Sequence, residues 1–347
     1  MGADFVAPAY HDRSLGDVLP AVAVAIGVDA GLGATSLVLP EAQRYVVFLV
    51  DGLGYELLRD HPEEAPFLHS LLGDRAPATV GVPSTTATSL TSLGTALTPG
   101  MHGIVGYTSR IPGSDRLLNA LQWDADVEPR EWQPHTTAFA RLAAAGVHTT
   151  VVNRRDFAAS GLTVAGSRGA EFVGADKVGE RLAAVVQASS GSPSVTYMYD
   201  GDLDWTGHGY GVRSLQWQQE LSMIDAAAEQ LRESLPAEVR ILVVADHGMV
   251  DSPAERRIDV DDHAELREGV ALVGGEARFR QLYCRGGAVD DVAATWREVL
   301  GDRAEVLTRD EALRLGWFGE LSFDVRPRIG DVLVACREDY AVLARSA

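Results

Sequence analysis

Five residues of this chain combine side-chain types and spacing that suit the binding of a cation: Asp51, Asp204, His208, Asp246 and His247. They occur in three short strings, Asp51-Gly-Leu-Gly54, Asp204-Trp-Thr-Gly-His208 and Asp246-His247-Gly-Met249, and each string follows an apolar, β-branched run. Asp204 and His208 are four apart, so in a turn or short helix they share a face. Gly207 and Gly209 flank the histidine and would let backbone approach an ion closely. Asp246 and His247 are adjacent and point opposite ways on a strand, so they serve one ion only if the chain turns there. Gly248 makes that turn easy. Carboxylate and imidazole donors suit zinc, with manganese or iron as substitutes. Each string also has a plainer reading. Asp-Gly after a strand is ordinary turn chemistry, and Asp204 with His208 fits a capped loop equally well. Asp200 and Asp202 read as loop acids.

A hydroxyl-rich stretch, Pro83-Ser84-Thr85-Thr86-Ala-Thr-Ser89, opens a helical pattern over residues 86–96. Serine and threonine are common N-caps. The same place also attracts phosphate, because free N–H groups and the positive end of the helix dipole meet there. Thr86 is the candidate nucleophile: a coordinated hydroxyl loses its proton more readily. Two ions about 4 Å apart would clamp the attacking and leaving oxygens of an in-line displacement. The chemistry implied is metal-dependent phosphoryl transfer. His102, in Pro99-Gly-Met-His102-Gly103, reads equally as a loop histidine or as a supporting group.

Something must bring these strings together. Unbroken apolar runs, which mark strands covered on both faces, occur at residues 45–50, 147–152, 195–199, 241–245 and 332–335. Helical patterns lie between them at 86–96, 131–145, 177–188 and 215–235. This alternation predicts an α/β fold, doubly wound, with a mainly parallel sheet and helices on both faces. In such sheets ligands gather beyond the carboxyl ends of the strands, where Asp51, Asp204 and Asp246 fall. Residues 253–330 carry many charges and paired glycines and read as a small α+β cap inserted before the last core strand. Residues 1–43 read as peripheral. A single catalytic domain over 1–347 is expected.

The formal net charge of −19 argues against a nucleic-acid polymer or an anionic membrane as partner. A small phosphorylated substrate remains compatible, because bound metal ions invert the local field. Two cysteines, Cys284 and Cys336, make no disulfide framework and fit a reducing compartment. The apolar run Val18–Val28 holds Pro20 and lacks a basic leader, unlike a signal peptide. No run reaches the roughly 18 apolar residues of a membrane span. The expectation is a cytoplasmic protein, its oligomeric state open.

Together these strings resemble the alkaline phosphatase superfamily, most closely its nucleotide pyrophosphatase/phosphodiesterase branch. The matching residues run in that family's order: Asp51, the Pro-x-x-Thr86 segment, Gly94-x-x-x-x-Pro99-x-x-His102-Gly103-Ile, Asp204-x-x-Gly207-His208, Asp246-His247-Gly248-Met249 and Arg328-Ile-Gly330-Asp331. The resemblance implies an alkaline phosphatase-like fold and two Zn2+ per chain. Asp51, Asp246 and His247 would hold one ion, touched also by Thr86, and Asp204 and His208 the other. It implies attack by Thr86 on a phosphodiester or pyrophosphate bond of a small organic phosphate, a nucleotide included, then hydrolysis of the phosphothreonine. Two positions depart from the pattern. Ser89 stands where the eukaryotic branch has an asparagine that steadies a phosphoryl oxygen, and serine can donate there too. The family's further histidine, after the Arg-Ile-Gly-Asp strand, has no counterpart here: the last histidine, His263, precedes that strand and matches no part of the pattern. Two alternatives stay open: a phosphomonoesterase or phosphonate hydrolase of the same superfamily, and a non-catalytic metal- or phosphate-binding relative.

Overall fold

A computed structural model of the chain describes residues 5–73 and 76–344. Its centre is a five-stranded sheet of β1 (Arg44–Val50), β2 (His148–Asn153), β3 (Glu171–Gly174), β4 (Ser194–Asp200) and β5 (Val239–Val244), in the order β3-β2-β4-β1-β5. Every pairing in it is parallel.

The unbroken apolar character of β1 follows from its two neighbours. Val46, Phe48 and Val50 face one helix layer, where they meet Leu182, Trp217, Leu221 and Ile224. Tyr45, Val47 and Leu49 face the other, with Leu19, Val22, Leu93, Phe139 and Leu142. A strand with helices on both sides has no polar face to show. Each of these buried side chains contributes about 1.5–3 kcal/mol. The layers are formed by α1 (Val18–Ile26), α2 (Thr86–Thr95), α3 (Ala138–Ala144), α4 (Val178–Ala188), α5 (Asp202–Tyr210) and α6 (Leu215–Ser234).

A second, antiparallel sheet contains β6 (Val270–Glu276), β7 (Phe279–Cys284), β8 (Ala304–Thr308) and β9 (Val332–Cys336), in the order β8-β9-β7-β6. The helix α7 (Val289–Leu300) packs on it through Val292, Ala293, Trp296 and Leu300. No helix among the described residues is long and apolar enough to cross a membrane.

The structure corrects four local readings. The run at 332–335 is β9 of the antiparallel sheet and not a strand of the parallel core; its two-sided burial comes from lying between β7 and β8, with apolar residues above and below. Within the supposedly peripheral first 43 residues, α1 is a core element, with Leu19 and Val22 fully buried against the sheet. The helical pattern over 131–145 is two helices, Pro129–Trp132 and α3. Pro134 separates them, since it lacks the N–H and sterically opposes a continuing helix. The short β3 was not foreseen, because only Phe172 and Val173 mark it as apolar.

Candidate functional site

The three strings meet at the carboxyl edge of the parallel sheet. Asp51 follows β1 directly, and its N–H donates to the carbonyl of Asp200, the last residue of β4, at 2.8 Å. Gly52 then takes a φ of 76°, in the left-handed region that favours glycine. A Cβ placed on Gly52 would lie 3.2 Å from Asp204 Cβ, so the absence of a side chain lets α5 bring Asp204 close. Gly54 packs in the same way on Gly248, where a Cβ would come within 2.7 Å of the partner's Cα. Gly207, expected to clear space for an ion, clears it for Met249 instead: a Cβ there would meet the sulfur at 2.2 Å. Nothing lies within 4 Å of a Cβ built on Gly209. The motif glycines therefore press three loops together.

The candidate donors converge unevenly. His247 Nε2 is 3.2 Å from Asp51 Oδ1 and 3.6 Å from Asp246 Oδ2. Ligand atoms of Asp51, Asp204 and His247 all lie within 4.8 Å of one another. His208 Nε2 approaches Asp204 Oδ2 at 3.5 Å, with its own side chain 73% exposed. Asp246 is fully buried. Its Oδ1 accepts the N–H groups of Gly52 at 3.1 Å and His247 at 3.0 Å. His247 Nδ1 is 2.7 Å from the Gly248 carbonyl, which requires a proton on Nδ1 and turns Nε2 towards the acids, the nitrogen that would become a ligand on giving up its own proton.

Thr86 begins α2, its hydroxyl 3.1 Å from His247 Nε2 and 3.4 Å from Asp51 Oδ2. No side chain caps this helix, so the N–H groups of its first turn remain available to an incoming anion. Ser89 lies one turn along α2. Its hydroxyl, expected to face a phosphoryl oxygen, is donated instead to the main-chain carbonyl of Asp246 at 2.7 Å.

The donor set fits a divalent cation. Asp204 Oδ1 and Asp246 Oδ2 are buried with no hydrogen-bond partner among the described residues, and Asp51 Oδ1 faces His247 Nε2; unpaired buried carboxylate oxygens are costly. Titration tells the same story. Burial pushes the Asp246 carboxyl up to about 8, against the pull of His247. Burial and the charge of Asp51 raise Asp204. Burial opposes the charged form of His247, yet Asp246 and Asp51 hold it well above its ordinary value. Burial would raise Asp51 too, but the hydrogen bond and charge of His247 bring it below the usual carboxylate range. Burial thus holds Asp246 and Asp204 towards their neutral forms, and a bound cation would offset that cost by favouring the carboxylates.

Several neighbours carried no sequence signal of their own. The Tyr199 hydroxyl donates to Asp51 Oδ2. Glu276 ends β6 in electrostatic reach of His247 and His208. Arg181, on α4, pairs with Asp200 and Asp202, which read in sequence as loop acids. Tyr199 could have been found from its place in β4, an alternate position before a ligand-bearing helix; Arg181 could not. His102 proves structural: it accepts the Ile104 N–H at 3.1 Å on Nδ1, so its Nε2–H donates to Ser92 Oγ at 2.9 Å. Arg328 lies over the Trp132 ring at 4.1 Å and donates to the carbonyls of Gly103 and Trp132, tying the antiparallel sheet to the His102 loop.

A hydroxyl beside an acid–imidazole cluster thus stands at the carboxyl edge of a doubly wound, alkaline phosphatase-like fold. The profile of the type I phosphodiesterase / nucleotide pyrophosphatase family matches residues 45–347, and the chain belongs to that family. Its members are metal-dependent hydrolases. Murine ectonucleotide pyrophosphatase/phosphodiesterase 5 superposes with a TM-score of 0.69 at 18% identity, over 88% of this chain and 82% of its own. An inactive threonine-to-alanine form of the murine protein, in complex with AMP, gives 0.68 at 18%, over 87% and 80%. The human protein gives 0.66 at 17%, over 88% and 81%. No curated protein sequence matches the chain.

Proposed function

We propose that this chain hydrolyses phosphodiester or pyrophosphate bonds of small organic phosphates, nucleotides among them, through a covalent phosphothreonine at Thr86. The observation that carries the reading is the Thr86 hydroxyl, 3.1 Å from His247 Nε2 and 3.4 Å from Asp51 Oδ2 at an uncapped helix start. Asp51, Asp246 and His247 would hold one divalent cation, Asp204 and His208 a second, with zinc the best match to carboxylate and imidazole donors. Bound there, the cations would acidify the threonine hydroxyl and neutralise the phosphoryl oxygens.

The chain's own groups do the remainder. Thr86 Oγ1 gives its proton to solvent and forms the bond to phosphorus as the bond to the leaving oxygen breaks, that oxygen taking up a proton from solvent. The first-turn N–H groups of α2 orient the phosphoryl oxygens as charge builds on them. Water then cleaves the phosphothreonine, returning the hydroxyl and releasing the phosphate product. The AMP bound by the murine relative supports a nucleotide-sized substrate.

The test uses Thr86→Ala. Hydrolysis of bis-p-nitrophenyl phosphate should fall by roughly a thousandfold or more, with the fold retained by circular dichroism. Acid quench of the parent during turnover of this diester and peptide mass spectrometry should find a p-nitrophenyl phosphoryl group on Thr86. Full activity in the variant, or that group on another residue, rejects the nucleophile. A faster rate on p-nitrophenyl phosphate than on the diester would favour the monoesterase reading.

A further inference from the structure

One buried cation in this molecule has no part in the chemistry above. Arg181 lies on α4 with its side chain 3% exposed. Its Nη2 donates to Asp200 Oδ2 at 2.7 Å and to Asp202 Oδ2 at 3.0 Å, and its Nη1 donates to the carbonyl of Asp176 at 3.3 Å. Asp200 and Asp202 stand on either side of a joint. Asp200 is the last residue of β4, and its main-chain carbonyl holds the N–H of Asp51. Asp202 is the first residue of α5, the helix that carries Asp204 and His208. Between them is Gly201, at φ −109° and ψ 6°. A side chain on Gly201 would come within 2.8 Å of the Tyr199 hydroxyl, the group that donates to Asp51.

A glycine hinge between a strand and a ligand-bearing helix gives the helix freedom to swing, since glycine restrains its backbone least. Three hydrogen bonds oppose that swing. Asp200 Oδ1 accepts the Asp202 N–H at 3.0 Å, and the Arg181 fork spans both acids. A buried ion pair of this kind is weak evidence for stability, because desolvation offsets most of the attraction; fixing one arrangement is its better attested use. Nη2 serves both carboxylates while Nη1 of the same planar fork is tied to the Asp176 carbonyl, and a lysine ammonium, with one nitrogen, cannot hold both acids and that carbonyl in the same geometry.

We propose that Arg181 is a positioning residue for the outer cation ligands: it fixes the angle at which α5 leaves β4, and so the place of Asp204 relative to Asp51. The proposal rests on the metal reading of the site given above. Arg181 touches neither substrate nor cation; it acts through Asp202 and the first turn of α5. Asp204 would move with α5, two residues beyond Asp202 in its first turn, and its Oδ1 has no hydrogen-bond partner among the described residues to hold it.

Calorimetric titration of the metal-free protein with Zn2+, and of a Co2+-loaded form by visible absorption, tests this without turnover. Parent protein should show two binding events, and His208→Ala identifies the outer one by weakening it. In Arg181→Met the outer event should weaken by about 10- to 100-fold, the usual effect of removing a group that orients a ligand, while the inner event moves less than about twofold. Arg181→Lys, which keeps the charge and loses the fork, should fall between. It also serves if the methionine variant does not fold. Arg181→Met combined with Asp200→Asn removes the stranded buried charge without restoring the fork, and outer binding should stay weak. Full recovery in that double variant would show that Arg181 acts only as a neutralising charge, and would overturn the proposal. Unchanged outer binding in both single variants would overturn it too, as would equal loss at both sites. Parent protein that binds no cation would instead bring down the metal reading, and this assignment with it.

Discussion

The hydroxyl of Ser89 donates to the main-chain carbonyl of Asp246 across 2.7 Å, joining the helix that presents Thr86 to the loop that presents His247. Both groups are fully buried. Ser89→Ala would leave that carbonyl without its partner, at about 1–3 kcal/mol. Thermal unfolding should show the loss. Because the two elements it joins carry Thr86 and His247, kcat should drop more than KM rises. A variant as stable as the parent would mean that water replaces the hydroxyl.

Gly94 sets how near α2 lies to the helix Gly161–Ser167, since a Cβ on it would sit 1.9 Å from the Gly166 carbonyl oxygen. No rotamer change relieves a clash with backbone. Gly94→Ala should therefore destabilise by about 1–3 kcal/mol despite the better helix propensity of alanine, and denaturant midpoints measure it. A gain in stability would contradict the packing described.

Chelation should lower the melting temperature. Removing a divalent cation leaves the buried oxygens of Asp51, Asp204 and Asp246 facing one another. An ion present at a hundredfold excess over its dissociation constant stabilises by about 2.7 kcal/mol. Scans with and without a chelator, then with Zn2+ restored, should fall and recover. A melting temperature blind to both additions speaks against a bound ion.

His102 gives the fold a pH dependence. Complete burial, with His135 and Arg328 adding, lowers its pKa to about 3, whereas the unfolded chain titrates near 6.5. Between those values the unfolded state binds a proton that the folded state refuses. The stability contribution is thus full above about pH 6.5 and declines as pH falls towards 3. His102→Gln should flatten that slope in denaturant titrations at pH 4 to 7. An unchanged slope would assign it to other groups.

Much of this was legible in sequence where one residue type has one strong meaning. The run before Asp51 is apolar on both faces because helices cover both, so a buried parallel strand ending on an acid could be read directly. The helical spacing of Asp204 and His208 was readable for the same reason, and α5 contains both. The β9 run misled, because an apolar stretch reports burial and not the sheet that buries it. Arg181 gave no signal, since its partners lie 19 and 21 residues away and no local pattern links them. The glycines of the motifs were legible as tight places, but what fills the space beside Gly207 is Met249, a tertiary fact.

The two candidate cation positions differ in contact with solvent: the side chain of Asp246 is 0% exposed, and that of His208 is 73%. A deep ion leaves only when surrounding chain opens, whereas one held at the rim can trade with the medium directly. The inner position should then keep the metal acquired during folding, and the outer should follow whatever supply surrounds the protein.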